Sequence, residues 1–245
     1  MNAPLRIAIA AAAVAAVAIV GINVLPRQGG VGSAPTPSPS PTPSPSLITP
    51  GALAPGTYFM TDKRDVTSGR LLFTVTAPGW AANDIRLIGK LIDGSPGQYA
   101  FDVSMSSWLV GNLKADPCHW KGGGQVPPVG PTVDDLASAL VAQAGAGATS
   151  APVTLGGYSG KKVDFSAPAG LDRNSCDELT FSRWQPADDP TDWGGFLYDK
   201  DQLNTVYILD VEGKRQVIDT TRLPTTSAAT LAELDATVAS IRFEP

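Results

Sequence analysis

Between Ile7 and Leu25 the chain runs without a charged side chain, and this stretch places everything after it relative to a membrane. At about 1.5 Å per residue it reaches roughly 28 Å as a helix, close to the roughly 30 Å hydrocarbon core of a bilayer. Much of it is alanine, so insertion depends on Ile7, Ile9, Val14, Val17, Ile19, Val20, Ile22, Val24 and Leu25, with Asn23 opposing them. Pro26 and Arg27 end the helix where headgroups begin. The rival reading is a cleaved signal peptide, with Arg6 as its positive start. The run is long for that, and the small-x-small site Gly32-Ser33-Ala34 is followed by Pro35, an unfavourable residue after a scissile bond. An uncleaved anchor is therefore the favoured expectation.

The charges flanking the span are nearly balanced, so orientation rests on the segment beyond it. A long soluble segment containing a cysteine pair selects N-inside, with the domain outside. The expected divisions are a short cytoplasmic tail over 1–6, a transmembrane helix over 7–25, an extended linker over 26–56 and an extracytoplasmic domain over 57–245. From Pro35 to Pro45 proline takes every second position, with Ser or Thr between. Each ring fixes φ and removes an N–H, which gives polyproline II at about 3.1 Å per residue, a stiff spacer. Beyond the linker 16 basic residues face 23 acidic ones, a net charge of −7 that disfavours nucleic acid and anionic surfaces. About 190 residues remain there, enough for one domain with a substantial core.

Arg70 to Ala77 alternates as a strand does, and Trp80 follows as a core lid. Ile85 to Ile92 and Gln98 to Met105 read as two further strands. Thr132 offers an N-cap to a helix whose Val133, Leu136, Ala137, Leu140, Val141 and Ala144 share a face, ended by Gly145. Two hairpins come next. One turns at Gly156-Gly157, the other at Glu212-Gly213-Lys214. A last helix, capped by Thr226 or Ser227, puts Leu231, Leu234, Val238 and Ile241 inward and leaves Glu233 and Asp235 to solvent. Ile241 to Phe243 closes the chain as a short strand. The fold class expected is α+β, a mainly antiparallel sheet with two helices covering one face, preceded by the transmembrane helix and the Pro-rich linker.

Cys118 and Cys176 are the only cysteines, and outside a membrane they are expected to form a disulfide that contributes about 4 kcal/mol through loop entropy. A nucleophilic cysteine would want a base, but His119, adjacent in an extended segment, points the other way. His119 is the sole histidine, and Asp116, Cys118 and His119 are too close and too few for a zinc pattern, so no metal or cofactor is expected. Gly157 to Lys161 grazes a nucleophile-elbow pattern without its final glycine, which makes Ser159 a turn residue. Asp188, Asp189, Asp192, Asp199 and Asp201 crowd a loop around Trp193, in spacing unlike a calcium loop. Trp108, Trp120, Trp184 and Trp193 could include a stacking platform for sugars, although most tryptophans pack in cores. His119, Trp120 and Trp193 are the ligand-binding candidates.

Pro55-Gly-Thr-Tyr58, Ala77-Pro-Gly-Trp80, Ala115-Asp-Pro-Cys-His-Trp120, Gly130-Pro-Thr-Val-Asp-Asp-Leu136, Gly156-Gly-Tyr-Ser-Gly-Lys161, Tyr207-Ile-Leu-Asp-Val211 and Ser240-Ile-Arg-Phe-Glu244 resemble an uncharacterised family of bacterial membrane-tethered extracytoplasmic domains. Some relatives carry a cytoplasmic segment ahead of the span that suggests anti-sigma-factor regulation. Here only Met1 to Arg6 precede it, which argues against a direct sigma-factor contact. The resemblance brings no catalytic residue with it. The order of elements is also loosely similar to Mog1/PsbP-like domains, in topology alone. The expected function is non-enzymatic binding or sensing of a small ligand or envelope protein at a cell membrane. The alternatives are an envelope hydrolase and a wall-carbohydrate-binding module.

Overall fold

The alternation that marks strands in the sequence is realised repeatedly after the proline repeat. The computed structural model describes residues 44–61, 69–92, 100–144, 147–168, 170–187, 194–197 and 201–244. The chain divides into two units, Met1–Pro41 and Thr42–Pro245, and every described residue lies in the second. The expected span over 7–25 and most of the linker lie outside the described residues. Among those described, no helix is long and apolar enough to cross a membrane.

The first half of the unit is strand: β1 (Ser46–Leu47), β2 (Gly51–Leu53), β3 (Gly56–Met60), β4 (Arg70–Val75), β5 (Trp80–Ala82), β6 (Leu87–Leu91), β7 (Phe101–Trp108) and β8 (Val110–Leu113). Helix α1 (Val133–Ala144) precedes β9 (Thr149–Leu155), β10 (Tyr158–Ser166), β11 (Phe181–Pro186), β12 (Gly194–Leu197), β13 (Leu203–Val211) and β14 (Lys214–Arg222). Helix α2 (Ala228–Ala239) and β15 (Arg242–Glu244) complete the fold. Eight strands form one antiparallel sheet in the order β2-β5-β6-β7-β14-β13-β10-β9. Its hairpins turn at Gly156-Gly157 and Glu212-Gly213, where both central residues take positive φ, the twist a two-residue turn needs. The α+β class with a mainly antiparallel sheet and two helices is what the described residues adopt.

The helices, however, lie on opposite faces, which corrects the expectation of one covered face. Along β13 and β14, Val206, Ile208 and Val217 enter the α1 core with Leu136, Ala137 and Leu140. Their neighbours Leu209 and Ile218 enter the α2 core with Leu234 and Val238. A strand buried on both sides is apolar at consecutive positions, as Ile208-Leu209 and Val217-Ile218 are. Each face is completed by a smaller sheet. Strands β1-β3-β4-β15 bring Met60, Leu71, Phe73 and Val75 to the α2 side, while β12-β11-β8 bring Leu113 and Trp184 to the α1 side.

Local chemistry starts both helices. Thr132 Oγ1 accepts from the Asp135 amide at 3.1 Å, and Asp135 Oδ2 accepts from the Thr132 amide at 3.0 Å, a reciprocal cap. Ser227 Oγ accepts from the Thr230 amide at 3.1 Å, so Ser227 caps α2 and Thr226 instead donates to Asp102. Strands β1 and β2 and the first residue of β3 fall within 46–56, and Ile48 is fully buried. The expectation that Glu233 faces solvent is corrected. Glu233 faces inward, accepting from Lys90 Nζ at 2.6 Å and Trp80 Nε1 at 3.1 Å.

Candidate functional site

The cysteines do meet. Cys118 and Cys176 are joined, with Cα atoms 4.5 Å apart across 58 residues of sequence. The segment around the bridge is held by its own hydrogen bonds. Asp116 Oδ1 accepts from the Cys118 and His119 amides at 2.8 and 3.1 Å, and the His119 N–H holds the Asp116 carboxyl below its usual range. The Asp177 amide donates to Cys118 O at 2.8 Å. Trp120, 5 % exposed, donates its indole N–H to the carbonyls of Asp177 and Thr180 at 3.2 and 3.1 Å. It pins the cross-linked loop and presents no open face. His119 is 62 % exposed, its Nδ1 3.9 Å from Asp177 Oδ1. Three of the cavities among the described residues are lined by residues other than Cys118, His119 and Trp120.

Trp193, Asp188, Asp189, Asp192 and Asp199 lie outside the described residues. Trp80, Trp108, Trp120 and Trp184 are all buried, so none of these four offers a stacking surface. Ser159 sits exposed on β10, within a hairpin rather than a strand-to-helix turn. Among the described residues no group of three or more His, Cys, Asp or Glu side chains is placed to hold a metal ion.

A concave site lies elsewhere. Helix α2 leaves part of its face of β10, β13 and β14 uncovered, and the resulting groove encloses about 640 Å³, within the range of small-molecule sites. The pleat sets its floor, since Lys162 and Asp164 project on the same side of β10 while Val163 and Phe165 enter the α1 core. Lys162 lies directly across from Tyr207, and Asp164 from Thr205. The Lys162 ammonium is 2.9 Å from Asp164 Oδ2, and Thr205 Oγ1 donates to Asp164 Oδ1 at 2.6 Å. Thr220 Oγ1 donates to Thr205 O at 3.1 Å, extending the chain of polar groups to β14. Asp164 raises the Lys162 pKa through this hydrogen bond, keeping the amine charged. Burial raises the Tyr207 pKa, keeping its phenol neutral. Leu231, Leu234 and Val238 of α2 form an apolar wall, with Asp235 and Arg222 exposed at the rim. The groove can hold a ligand by hydrogen bonds on one side and apolar contact on the other.

Beneath the end of the groove lies a buried polar line. Gln202 Nε2 donates to Asn204 Oδ1 at 2.9 Å, and Asn204 Nδ2 donates to Asp219 Oδ1 at 3.0 Å. Burial pushes the Asp219 carboxyl up to about 7, and pushes the nearby Arg183 guanidinium down to about 10. Arg183 lies 4.0 Å over the Phe165 ring and reaches Ser166 O at 3.5 Å.

Sequence reasoning does not single out Lys162, Asp164, Thr205 or Tyr207. Their signal is present in the alternation Lys162-Val-Asp-Phe and Thr205-Val-Tyr-Ile, which marks a polar strand face. Nothing local shows that a helix from the end of the chain would turn that face into a groove. No protein-family model matches this chain, and no curated protein matches it either.

Proposed function

We propose that this chain is a membrane-tethered extracytoplasmic domain that binds a small envelope ligand, without transforming it, in the groove beside α2. The observation that carries the reading is the preassembled cluster of Lys162, Asp164 and Thr205, which faces a concave volume of about 640 Å³. Polar groups already held by one another lose little freedom when a ligand arrives. Support for the location comes from the Cys118–Cys176 bridge, which belongs to oxidising compartments. The charge-free run over Ile7–Leu25, the proline spacer and the resemblance to tethered extracytoplasmic domains agree with it.

The test is hydrogen exchange on the full chain, with and without the small-molecule fraction of a cell-wall digest. Slower exchange confined to 158–166, 203–211 and 228–239 is the expected result. Unchanged exchange there would remove the groove as a binding site. Consumption of a component of the digest by the pure protein would replace binding with catalysis.

A further inference from the structure

We infer that the groove beside α2 takes a neutral saccharide, an inference that rests on the groove being the binding site. Charge balance comes first. The cations lining it, Lys162 and Arg222, are matched by the carboxylates Asp164 and Asp235, and Lys162 is already held 2.9 Å from Asp164. An anionic ligand would find no surplus of positive charge, within a domain whose net charge is −7.

The groove also pairs a donor with an acceptor. A vicinal diol offers two hydroxyls about one hydrogen-bond length apart, each able to donate and accept. The Lys162 ammonium and Asp164 carboxylate stand at that same spacing, so one hydroxyl can accept from Lys162 while its neighbour donates to Asp164. Thr205 and Thr220 continue the row with hydroxyls whose donors are already committed, leaving lone pairs for further sugar hydroxyls. The half-buried ring of Tyr207 and the side chain of Leu231 supply apolar surface for the C–H faces of the rings.

The sheet face separates a saccharide from a peptide. Peptides bound in extended form are gripped through backbone hydrogen bonds at a sheet edge. Here the floor is the face of β10, β13 and β14, each paired on both sides, with β9, β10, β13, β14 and β7 using the ladder groups. A peptide would meet side chains alone. A sugar needs only side chains.

Titration calorimetry on the full chain in a detergent without sugar headgroups provides the test, using cellotriose, tri-N-acetylchitotriose, maltotriose and trialanine as probes. Binding of at least one saccharide with a Kd below about 1 mM is expected, and no binding of trialanine. Asp164→Asn and Tyr207→Ala should each weaken that binding about tenfold or more, while Tyr207→Phe, which keeps the ring, should weaken it less. Unchanged far-UV circular dichroism in the three variants would show that they fold. Preferential binding of trialanine would refute the saccharide and leave the groove standing. If no saccharide binds while the wall digest still protects the groove from exchange, the saccharide assignment alone fails. If neither occurs, both readings fail. Saccharide binding that survives Asp164→Asn and Tyr207→Ala unchanged would place the sugar outside this groove and overturn the inference.

Discussion

Asn204 of β13 donates its side-chain amide to Asp219 of β14 at 3.0 Å, a neutral hydrogen bond given to a carboxyl that is 3 % exposed. With burial raising its pKa to about 7, the native state binds this proton more tightly than the unfolded chain, where Asp titrates near about 3.9. The stabilisation is therefore complete below about pH 4 and is lost as pH rises toward 7. Urea titrations at steps between pH 4 and 8 should show wild type losing stability across this window relative to Asp219→Asn. The difference should be on the order of a few kcal/mol. Taking the difference removes the opposite slope from Asp116 and Asp135, whose pKa values are lowered by hydrogen bonds. Parallel curves for the two proteins would contradict this.

Reduction of Cys118–Cys176 frees a loop closed across 58 residues. Chain-entropy arguments put the loss at about 4 kcal/mol, of the same order as the total stability of many domains. Denaturation midpoints of the full chain with and without reductant measure it. The double variant Cys118→Ser, Cys176→Ser should match the reduced protein. A shift below about 1 kcal/mol would show that the hydrogen bonds around Asp116, Trp120 and Asp177 hold the loop without the covalent link.

Glu233 joins α2 to the eight-stranded sheet through Lys90 and to β5 through the Trp80 indole. Both side chains of the ion pair are 22 % exposed, so the pair is partly shielded from solvent. Glu233→Ala should cost roughly 1–3 kcal/mol, since it strips partners from an ammonium and an indole together. A double-mutant cycle with Lys90→Met isolates the ion-pair share, which should be smaller than the whole effect. Additive single effects would mean the pair contributes nothing measurable.

Gly160 sits on β10 opposite Leu209, and a Cβ there would collide with the Ile208 carbonyl of β13. Gly160→Ala should therefore lower the melting temperature and slacken the β10–β13 ladder, seen as faster amide exchange in both strands. Ser159→Ala, one residue away and exposed, serves as the control and should leave both readouts unchanged. If Gly160→Ala is equally silent, the close approach of the two strands is not required.

Much of the α1 and α2 helices and both hairpins is legible along the chain. Caps at Thr132 and Ser227 and turns at Gly156-Gly157 and Glu212-Gly213 act within a few residues, so they leave local patterns. The three-stranded sheet is not. Its β11 carries Arg183 at a fully buried position, and a charged residue mid-strand reads as exposure until the interior partner is known. Glu233 reads as a solvent-facing residue for the same reason, since its partners Lys90 and Trp80 lie 143 and 153 residues away.

By itself the sequence determined the charge-free N-terminal run, the proline repeat, the periodicity of helices and strands, and a pair of cysteines with no third to compete. Those are properties of composition and short spacing. Only the tertiary structure decided which face each helix covers, what Glu233 and Asp219 meet, and that the Lys162–Asp164 pair lines a groove. Each of these depends on contacts between distant segments, whose energies come from burial and desolvation, and those terms take their sign only once the partner segment is in place.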